Sequence, residues 1–445
     1  MTDFNPACHS TDHFARRTLL KAAGLSGLAW LTPLAQRLAR AEEAAPRGAT
    51  AKSVIVLYME GGPSQFETFD PHPGKKISHT ATKAIKTRAG GIQISDWLPR
   101  VAEQMDRISL VRSVVSKEGD HERAAYNIKT GWRPDPTLVH PSLGAIICHQ
   151  TESQDQSAPE NGKVEIPRHV SILSGEWPAR GGYLGDQYDA FKTFDPSGPI
   201  PDVTAHVPEL RAKRRLEDLK NVLEAGFARG RIKYLEKKTL HSTSIAAARK
   251  MMTSDQLKAF DVRLAPESLQ QEFGDTPFGR SCLAAVQLIE VGVRCVEVTL
   301  SGWDTHAENE SLVRGRCEVL DPAYAALMKQ LRERGLLDST IVLWGGEFGR
   351  TPTINPVGGR DHWPHGFTIA LAGGGIAGGR AIGETPDEAP QGKAPTAGLR
   401  DPWNVEDIHA TVLHALGIDY TQEAMTPIGR PMAFSQGKVI DALLG

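Results

Sequence analysis

Three segments of the sequence combine carboxylates with histidines and could bind a metal ion. The first holds Asp304 and His306, the second holds Glu347, and the third holds the adjacent pair Asp361 and His362. Carboxylate oxygens and imidazole nitrogens without a thiolate form a borderline-to-hard ligand set. Such a set favours Zn²⁺, Mn²⁺ or Fe, whereas Ca²⁺ and Mg²⁺ suit it less well where histidine takes part. These five residues are therefore the candidate metal ligands.

Each of these segments, taken singly, also has an ordinary structural explanation. A loop with the pattern Asp-x-His can be capped by its own side chains, and the two glycines before Glu347 can form a turn ahead of a helix. A metal or anion site is favoured because all three segments lie next to predicted buried strands. We therefore prefer a binding role for the whole set over a purely structural one.

His121 is a further candidate, because it is the first residue of a helix predicted over residues 121–130. The start of a helix concentrates free backbone N–H groups and partial positive charge, so it favours an anion. His121 could cap this helix, or it could face the metal site as a ligand, base or nucleophile. The residues alone leave both possibilities open.

An alternation of strands and helices is expected to position these segments. Residues 54–59 form a continuous apolar run rich in β-branched side chains, which is typical of a strand buried on both faces of a parallel sheet. Further strands are predicted at residues 108–115, 168–173, 294–300, 340–344 and 367–371. Helices are predicted at residues 98–105, 121–130, 142–151, 277–291, 311–334 and 405–417. This alternation predicts an α/β fold, a doubly wound and mostly parallel sheet with helices on both faces. Such sheets bind ligands outside the carboxyl ends of their strands, where the candidate ligands are expected.

Two parts of the chain depart from this alternation. Residues 210–271 are rich in Lys, Arg, Glu, Leu and Ala, with apolar residues three and four apart, which predicts an all-helical insertion. We interpret its basic residues as a solvated helix face. Residues 376–404 are rich in Gly, Pro and Ala and are expected to form a long surface loop. The sheet domain is expected to span residues 53–445, after a short polar linker at 42–52.

The first 41 residues have the features of an export signal. Arg16 and Arg17 form a twin-arginine pair, residues 22–34 are moderately apolar, and residues 39–41 have the small-x-small form of a cleavage site. An amphipathic helix with two basic residues is the alternative. No run in the sequence reaches the about 18 apolar residues that a membrane span needs. We therefore expect the twin-arginine export machinery to deliver a mature chain, without a membrane span, to the periplasm or the exterior.

The overall composition excludes several classes of function. The 445-residue chain carries 51 basic and 53 acidic residues, which gives a formal net charge of −2. That balance provides no basic surface for a nucleic-acid partner or an anionic membrane. The chain has five cysteines and no CxxC pair, so neither a disulfide scaffold nor a zinc ribbon is expected.

Together with the leader, these motifs resemble the bacterial family known as domain of unknown function 1501, sulfatase-like proteins allied to the alkaline phosphatase superfamily. The matching segments are residues 61–64, 68–71, 121–131, 302–306, 347–351 and 361–362. The resemblance implies a doubly wound sheet with a metal site at its carboxyl edge. It also implies a small anionic ester or a sulfated glycan as the substrate.

The sequence departs from that superfamily at the positions that carry its chemistry. In the matching register, His121 stands where a sulfatase has its modifiable Cys or Ser, and Glu347 begins the segment that matches an Asp-His pair. The first-strand aspartate has no clear counterpart, since Glu60 or Asp70 would have to replace it. A formylglycine sulfatase is therefore not expected, and the ligand set is expected to be rebuilt around one ion in place of two.

Two mechanisms remain open for hydrolysis of a phosphate or sulfate ester. In the preferred mechanism, the candidate ligands hold a metal that activates a water, and His121 acts as general acid or base. Arg350 and Arg123 would then hold the anion. In the other mechanism His121 is itself the nucleophile. The competing class is a protein that holds a metal or a glycan on a degenerate hydrolase fold without catalysis.

Overall fold

The structure, a computed structural model, describes most of the chain after residue 50. The described residues are 51–77, 82–157, 163–200, 203, 207–219, 221, 241–388, 390, 396 and 398–445. The expected leader at 1–41 and nearly all of the expected linker at 42–52 lie outside these residues.

The strands and helices alternate along the chain as the apolar pattern predicts. The strands are β1 (Ser53–Glu60), β2 (Ala84–Lys86), β3 (Gln93–Ser95), β4 (Ile108–Val115), β5 (His169–Ile172), β6 (Phe191–Thr193), β7 (Cys295–Ser301), β8 (Thr340–Gly345), β9 (Gly349–Arg350), β10 (His362–Trp363), β11 (Phe367–Ala372), β12 (Ala381–Ile382), β13 (Trp403–Asn404), β14 (Glu423–Met425) and β15 (Pro431–Ala433). The helices are α1 (Pro99–Ala102), α2 (His121–Thr130), α3 (Leu143–Gln156), α4 (Glu209–Asp218), α5 (His241–Met252), α6 (Glu267–Glu272), α7 (Pro277–Glu290), α8 (Asn309–Glu333) and α9 (Val405–Ala415).

Within the described residues, a nine-stranded sheet forms the centre of the fold. Its order is β12-β4-β11-β8-β1-β7-β5-β6, and β13 also pairs with β4. Among the described strands of this sheet, β11 alone runs antiparallel to its neighbours, β4 and β8. The central strand β1 is parallel to both β7 and β8. The expected α/β class with a mostly parallel sheet is confirmed.

Both faces of the sheet are covered by apolar helix surfaces. Alternate residues of β1 point to opposite faces, because side chains alternate along a strand. Ile55 and Leu57 pack into the larger core with α7 and α8, whereas Val54 packs into a second core with α3 and α9. Burial on both faces explains why β1 is a continuous apolar run instead of an alternating one. The fold is therefore doubly wound.

Some boundaries differ from the sequence-based predictions. The helix expected at 98–105 is shorter, because α1 ends at Ala102 and a 3₁₀ turn at Met105–Arg107 follows it. Residues 376–404 are not one continuous loop, since β12 and β13 lie there and pair with β4 at the sheet edge. Within the predicted insertion, α4, α5 and α6 are helical, and residues 222–240 lie outside the described residues. Over the part of the chain that the structure describes, no helix is both long and apolar enough to cross a bilayer.

Candidate metal centre

The predicted ligand segments meet at one edge of the central sheet. The loops that follow β4, β7 and β8 lie at the carboxyl ends of parallel strands and carry His121, the pair Asp304 and His306, and Glu347, respectively. His362 precedes β11, and because β11 is antiparallel, its start lies at this same edge. The antiparallel strand thus brings the late histidine to the residues that follow the parallel strands.

Close backbone packing at Gly61 brings the loop after β1 against the loop after β7. Gly61 has a φ of +112°, and a Cβ atom there would lie only 2.5 Å from the amide nitrogen of Asp304. Only glycine leaves room for this approach and adopts that φ without strain. The backbone position of Asp304 is therefore fixed by direct contact with the neighbouring loop.

Three imidazole rings at this edge each have their Nδ1 atom held by an oxygen. Nδ1 of His121 lies 2.8 Å from Oε1 of Glu347, and Nδ1 of His306 lies 2.9 Å from Oδ1 of Asp361. Nδ1 of His362 lies 2.8 Å from the carbonyl oxygen of Gly119. Because carbonyl and carboxylate oxygens only accept, each Nδ1 must carry the proton and donate it. In the neutral imidazoles, the Nε2 atoms therefore carry the free lone pairs.

The three Nε2 atoms converge on the carboxylate of Asp304. Their distances to its oxygens are 3.4 Å from His121, 3.1 Å from His306 and 3.2 Å from His362. The Nε2 atoms of His306 and His362 are also only 3.0 Å apart. Nε2 of His121 is buried and makes no hydrogen bond within the described part of the chain. Lone pairs that face one another and a carboxylate repel, unless a cation or a proton lies between them.

The spacing of these atoms suits a first-row divalent ion. One ligand atom each from His121, Asp304 and His362 fall within 4.8 Å of one another. A tetrahedral zinc with bonds of about 2.0–2.1 Å separates its ligand atoms by roughly 3.3 Å, which is close to the distances from Asp304 to His121 and to His362. Burial lowers the pKa of His362, which keeps its ring in the neutral form that binds metals.

Two of the predicted ligands lie behind the histidines. Glu347 is fully buried and accepts hydrogen bonds from His121, from the amide of Gly61 at 2.9 Å and from the hydroxyl of Tyr58 at 3.2 Å. Asp361 accepts from Nδ1 of His306. Carboxylates in this place orient the ring and increase its basicity as a ligand. In the described structure, Glu347 and Asp361 each contact the Nδ1 side of a histidine.

Arg350 is turned inward, although the sequence suggested that it holds an anion. Its side chain is 0% exposed and makes a 2.6 Å hydrogen bond to Oδ1 of Asp304. The guanidinium also donates to four backbone carbonyl groups, those of Gly61, Gly62, Trp303 and Arg360. Burial alone would raise the pKa of Asp304, but the hydrogen bond and charge of Arg350 outweigh it and lower that pKa to about 2. Arg350 therefore ties the loops together and keeps Asp304 ionised.

A buried ion pair beneath the site was not anticipated from the sequence. Arg360 and Glu67 are both 0% exposed, and their charged atoms lie 2.6 Å apart. The backbone amide of Arg360 also bonds to the carbonyl of Thr305, beside Asp304. Glu67 lies just before the segment 68–71 that resembles the family, and this was the one signal that could have drawn attention to it.

The remaining sequence candidates lie outside the histidine cluster. Arg123 is exposed and pairs with Glu118, with its Nε atom 2.6 Å from a carboxylate oxygen. Glu60 accepts a hydrogen bond from the hydroxyl of Ser301. Asp70 is buried, and its Oδ1 atom lies 3.3 Å from Nη1 of Arg112. Neither acidic residue is among the three that come together as possible ligands.

The family of this chain follows from its sequence. The sequence profile of the family described as "Protein of unknown function (DUF1501)" matches residues 51–444. The chain belongs to this DUF1501 family. No curated protein matches its sequence significantly.

Solved structures with a similar fold include proteins of the alkaline phosphatase superfamily. The lipoteichoic acid synthase LtaP from Listeria monocytogenes is 10% identical, with a TM-score of 0.41 over 88% of this chain and 76% of that chain. The PsFucS1 sulfatase from Pseudoalteromonas sp. is 10% identical, with a TM-score of 0.40 over 86% and 71%. A protein in the alkaline phosphatase superfamily from Vibrio parahaemolyticus is 12% identical, with a TM-score of 0.35 over 84% and 68%. Likenesses this low say nothing about the activity of the DUF1501 chain.

Proposed function

We propose that this chain is an exported, metal-dependent hydrolase of phosphate or sulfate esters. The observation that carries the proposal is the convergence of three Nε2 lone pairs on Asp304, with each Nδ1 held by an oxygen acceptor. This arrangement has a ready explanation if a cation binds there. Without a cation, the arrangement needs protons on the Nε2 atoms to keep these electron-rich atoms from facing one another.

His121, Asp304 and His362 would hold the ion, since these three offer mutually close ligand atoms. A nitrogen-rich set with one carboxylate favours Zn²⁺, Mn²⁺ or Fe over Ca²⁺ or Mg²⁺. This assignment makes His121 a ligand. We prefer it to the acid–base or nucleophilic role suggested by the sequence, because Nε2 of His121 is buried and lies among the ligand atoms of Asp304 and His362.

A divalent ion in this place would supply a Lewis acid and an acidified water. The side chains of Asp304 and His306 are 44% and 46% exposed, so an ester in solution could reach them. His306 is the imidazole best placed to transfer a proton to or from the ester, because its side chain is exposed to solvent. Asp361 accepts from its Nδ1, so its Nε2 faces Asp304 and His362. Arg123 is at the exposed start of α2 and could contact the anionic part of an ester.

The test combines metal analysis with turnover. The mature chain, purified without a metal-chelating tag, is expected to carry Zn, Mn or Fe and to hydrolyse an aryl phosphate or an aryl sulfate. Asp304→Ala is expected to lose both metal and turnover. Asp275→Ala, at a side chain that is 98% exposed, serves as the matched control and should keep both. Equal metal content in the two variants, or turnover that survives complete chelation, would refute the proposal.

A second candidate is a protein that binds a metal or glycan without catalysis. It is favoured by His121, which occupies the place of the superfamily nucleophile and has its Nδ1 bonded to Glu347 and its Nε2 facing Asp304. Bound metal without turnover of either ester would favour this candidate.

A further inference from the structure

Three cavities adjoin one another, and one of them is lined by the residues on either side of His121. The nearest cavity, of about 500 Å³, runs along α2 and is bordered by Trp177 and Arg180. It shares Val139 and Arg180 with a second cavity of about 460 Å³, and Pro134 and His140 with a third of about 370 Å³. One such volume suits a single small ligand, whereas three that adjoin offer room for a longer chain. We name these three cavities together the α2 groove.

Trp177 connects the α2 groove to the candidate metal centre. Its ring is nearly parallel to that of His121, with an interplanar angle of 6° and centroids 6.1 Å apart. The side chain is half-buried and lines the groove directly. A tryptophan in this position offers a flat apolar surface next to polar groups. A ligand in the first cavity would thus lie beside His121.

The lining of the first cavity carries nearly balanced charge. Its acidic residues are Asp120, Glu122 and Glu176, and its basic residues are Arg123, Lys129 and Arg180. Lys129 is already paired with the buried Glu297 at 2.8 Å, and Arg123 is paired with Glu118. A polyanion would meet three carboxylates here, which oppose its binding. Balanced donors and acceptors around an aromatic face suit hydroxyl groups and the C–H faces of sugar rings instead.

We propose that the α2 groove binds a neutral carbohydrate chain and places an ester group on that chain at the metal centre. This deepens the proposed function, because it names the part of the substrate that does not react. Trp177 would pack against one sugar ring, and Arg180 would hydrogen-bond where the first and second cavities join. Binding energy from the chain would then add to that of the ester.

The experiment measures binding without turnover, so that it can fail separately from the hydrolase proposal. Four neutral hexasaccharides are titrated calorimetrically into the metal-free mature chain. They are built from β-1,4-linked glucose, α-1,4-linked glucose, β-1,4-linked xylose and β-1,4-linked N-acetylglucosamine. The disaccharide of each type is titrated in the same way. At least one hexasaccharide is expected to bind roughly tenfold more tightly than its disaccharide, with little dependence on salt. Absence of binding by all four, or binding that salt abolishes, would overturn the proposal.

Two variants locate the ligand in the α2 groove. Trp177→Ala is expected to weaken hexasaccharide binding roughly tenfold, and Trp177→Phe to restore most of it. Phe194→Ala is the matched control, because Phe194 is 72% exposed and lines none of the three cavities. Val139→Trp adds bulk where the first two cavities join, at a residue that is 47% exposed, and should reduce hexasaccharide affinity to that of the disaccharide. Unchanged binding in both Trp177→Ala and Val139→Trp would place the ligand elsewhere and overturn the proposal.

Discussion

Nδ1 of His121 lies 2.8 Å from Oε1 of Glu347, a carboxylate that is fully enclosed by protein. The same carboxylate accepts from the amide of Gly61, so it is fixed from two sides. The ring of His121 is therefore oriented before any ligand arrives. Such a pair explains how an imidazole at the first residue of a helix keeps its Nε2 towards Asp304.

Glu347→Gln is expected to weaken metal binding without unfolding the protein. An amide in this place removes the negative charge that supports the ring, and residues of this kind typically change metal affinity by about 10–100-fold. Competition with a chromophoric chelator measures the change. The control is Glu384→Gln, at an exposed carboxylate that pairs with Arg400. If the variant binds the metal as tightly as the wild type does, Glu347 does not contribute to the metal centre.

His121→Ala and His306→Ala are expected to have different effects. His121→Ala removes a proposed ligand and should abolish stoichiometric metal. His306→Ala removes the proposed proton-transfer group and should keep the metal, while kcat falls by about 10²–10⁴-fold. Elemental analysis and initial rates on the same preparations separate the two effects. Loss of metal in His306→Ala would show that His306 is a ligand as well.

Arg350→Met is expected to lower the free energy of unfolding by about 3 kcal/mol or more. The substitution keeps the length of the side chain but leaves four backbone carbonyl groups without their donor. Chemical denaturation of the metal-free protein measures the loss. Arg400→Met, at a guanidinium that is 77% exposed, is the control and should change stability by less than about 0.5 kcal/mol.

Stability is expected to fall in mild acid because of His409. Burial lowers the pKa of this imidazole to about 4, and the residue is 2% exposed. As the pH falls, this imidazole therefore takes up a proton near pH 6.5 in the unfolded chain but only near pH 4 in the folded chain. Stability is complete above pH 6.5 and declines by about 3 kcal/mol as the pH falls to 4.

His409→Gln should remove the contribution of His409 to this loss, because glutamine does not titrate and its amide can donate to the carbonyl of Ile128 as His409 does. The contribution of His140, whose pKa burial also lowers to about 4, should remain. Thermal melts between pH 4 and 7 provide the measurement. His414→Gln, on the same helix but half-buried, is the comparison. If His409→Gln keeps the full acid-dependent loss, another group must cause it.

Replacement of Arg16 and Arg17 by lysine is expected to keep the full-length precursor in the cytoplasm. The twin-arginine pair is the feature that predicts export, and lysine preserves its charge while removing the guanidinium groups. Cell fractionation with detection of the cleaved chain is the measurement. Arg37→Lys, in the same leader but outside the pair, should leave export unchanged. Normal export of the double variant would contradict the proposed signal.

The fold was predictable from the sequence because its apolar pattern is unambiguous. The run at β1 is buried on both faces, and helices with one apolar face alternate with the strands. The direction of β11 was not predictable, since strand pairing depends on distant residues. Because β11 is antiparallel, His362, which comes before β11 in the sequence, lies beside residues that come after the parallel strands.

The residues at the candidate site were easier to predict than their roles. Sequence spacing pointed to Asp304, His306, Glu347, Asp361 and His362, and the structure brings all five to one edge of the sheet. Which carboxylate faces an ion and which stands behind a histidine depends on side-chain orientation, and the sequence carries no signal for that. Arg350 illustrates the same difficulty, because a conspicuous arginine beside a site can point inward as easily as outward.

The close contact at Gly61 affects how relatives of this chain should be compared. A homologue could keep every histidine and carboxylate of the centre and still fail to assemble it, if any other residue replaced that glycine. A search restricted to residues with functional groups would overlook such a loss, because the deciding position has no side chain. Relatives that retain the donors are best divided first by what occupies this position, and only then by the metal or substrate that they share.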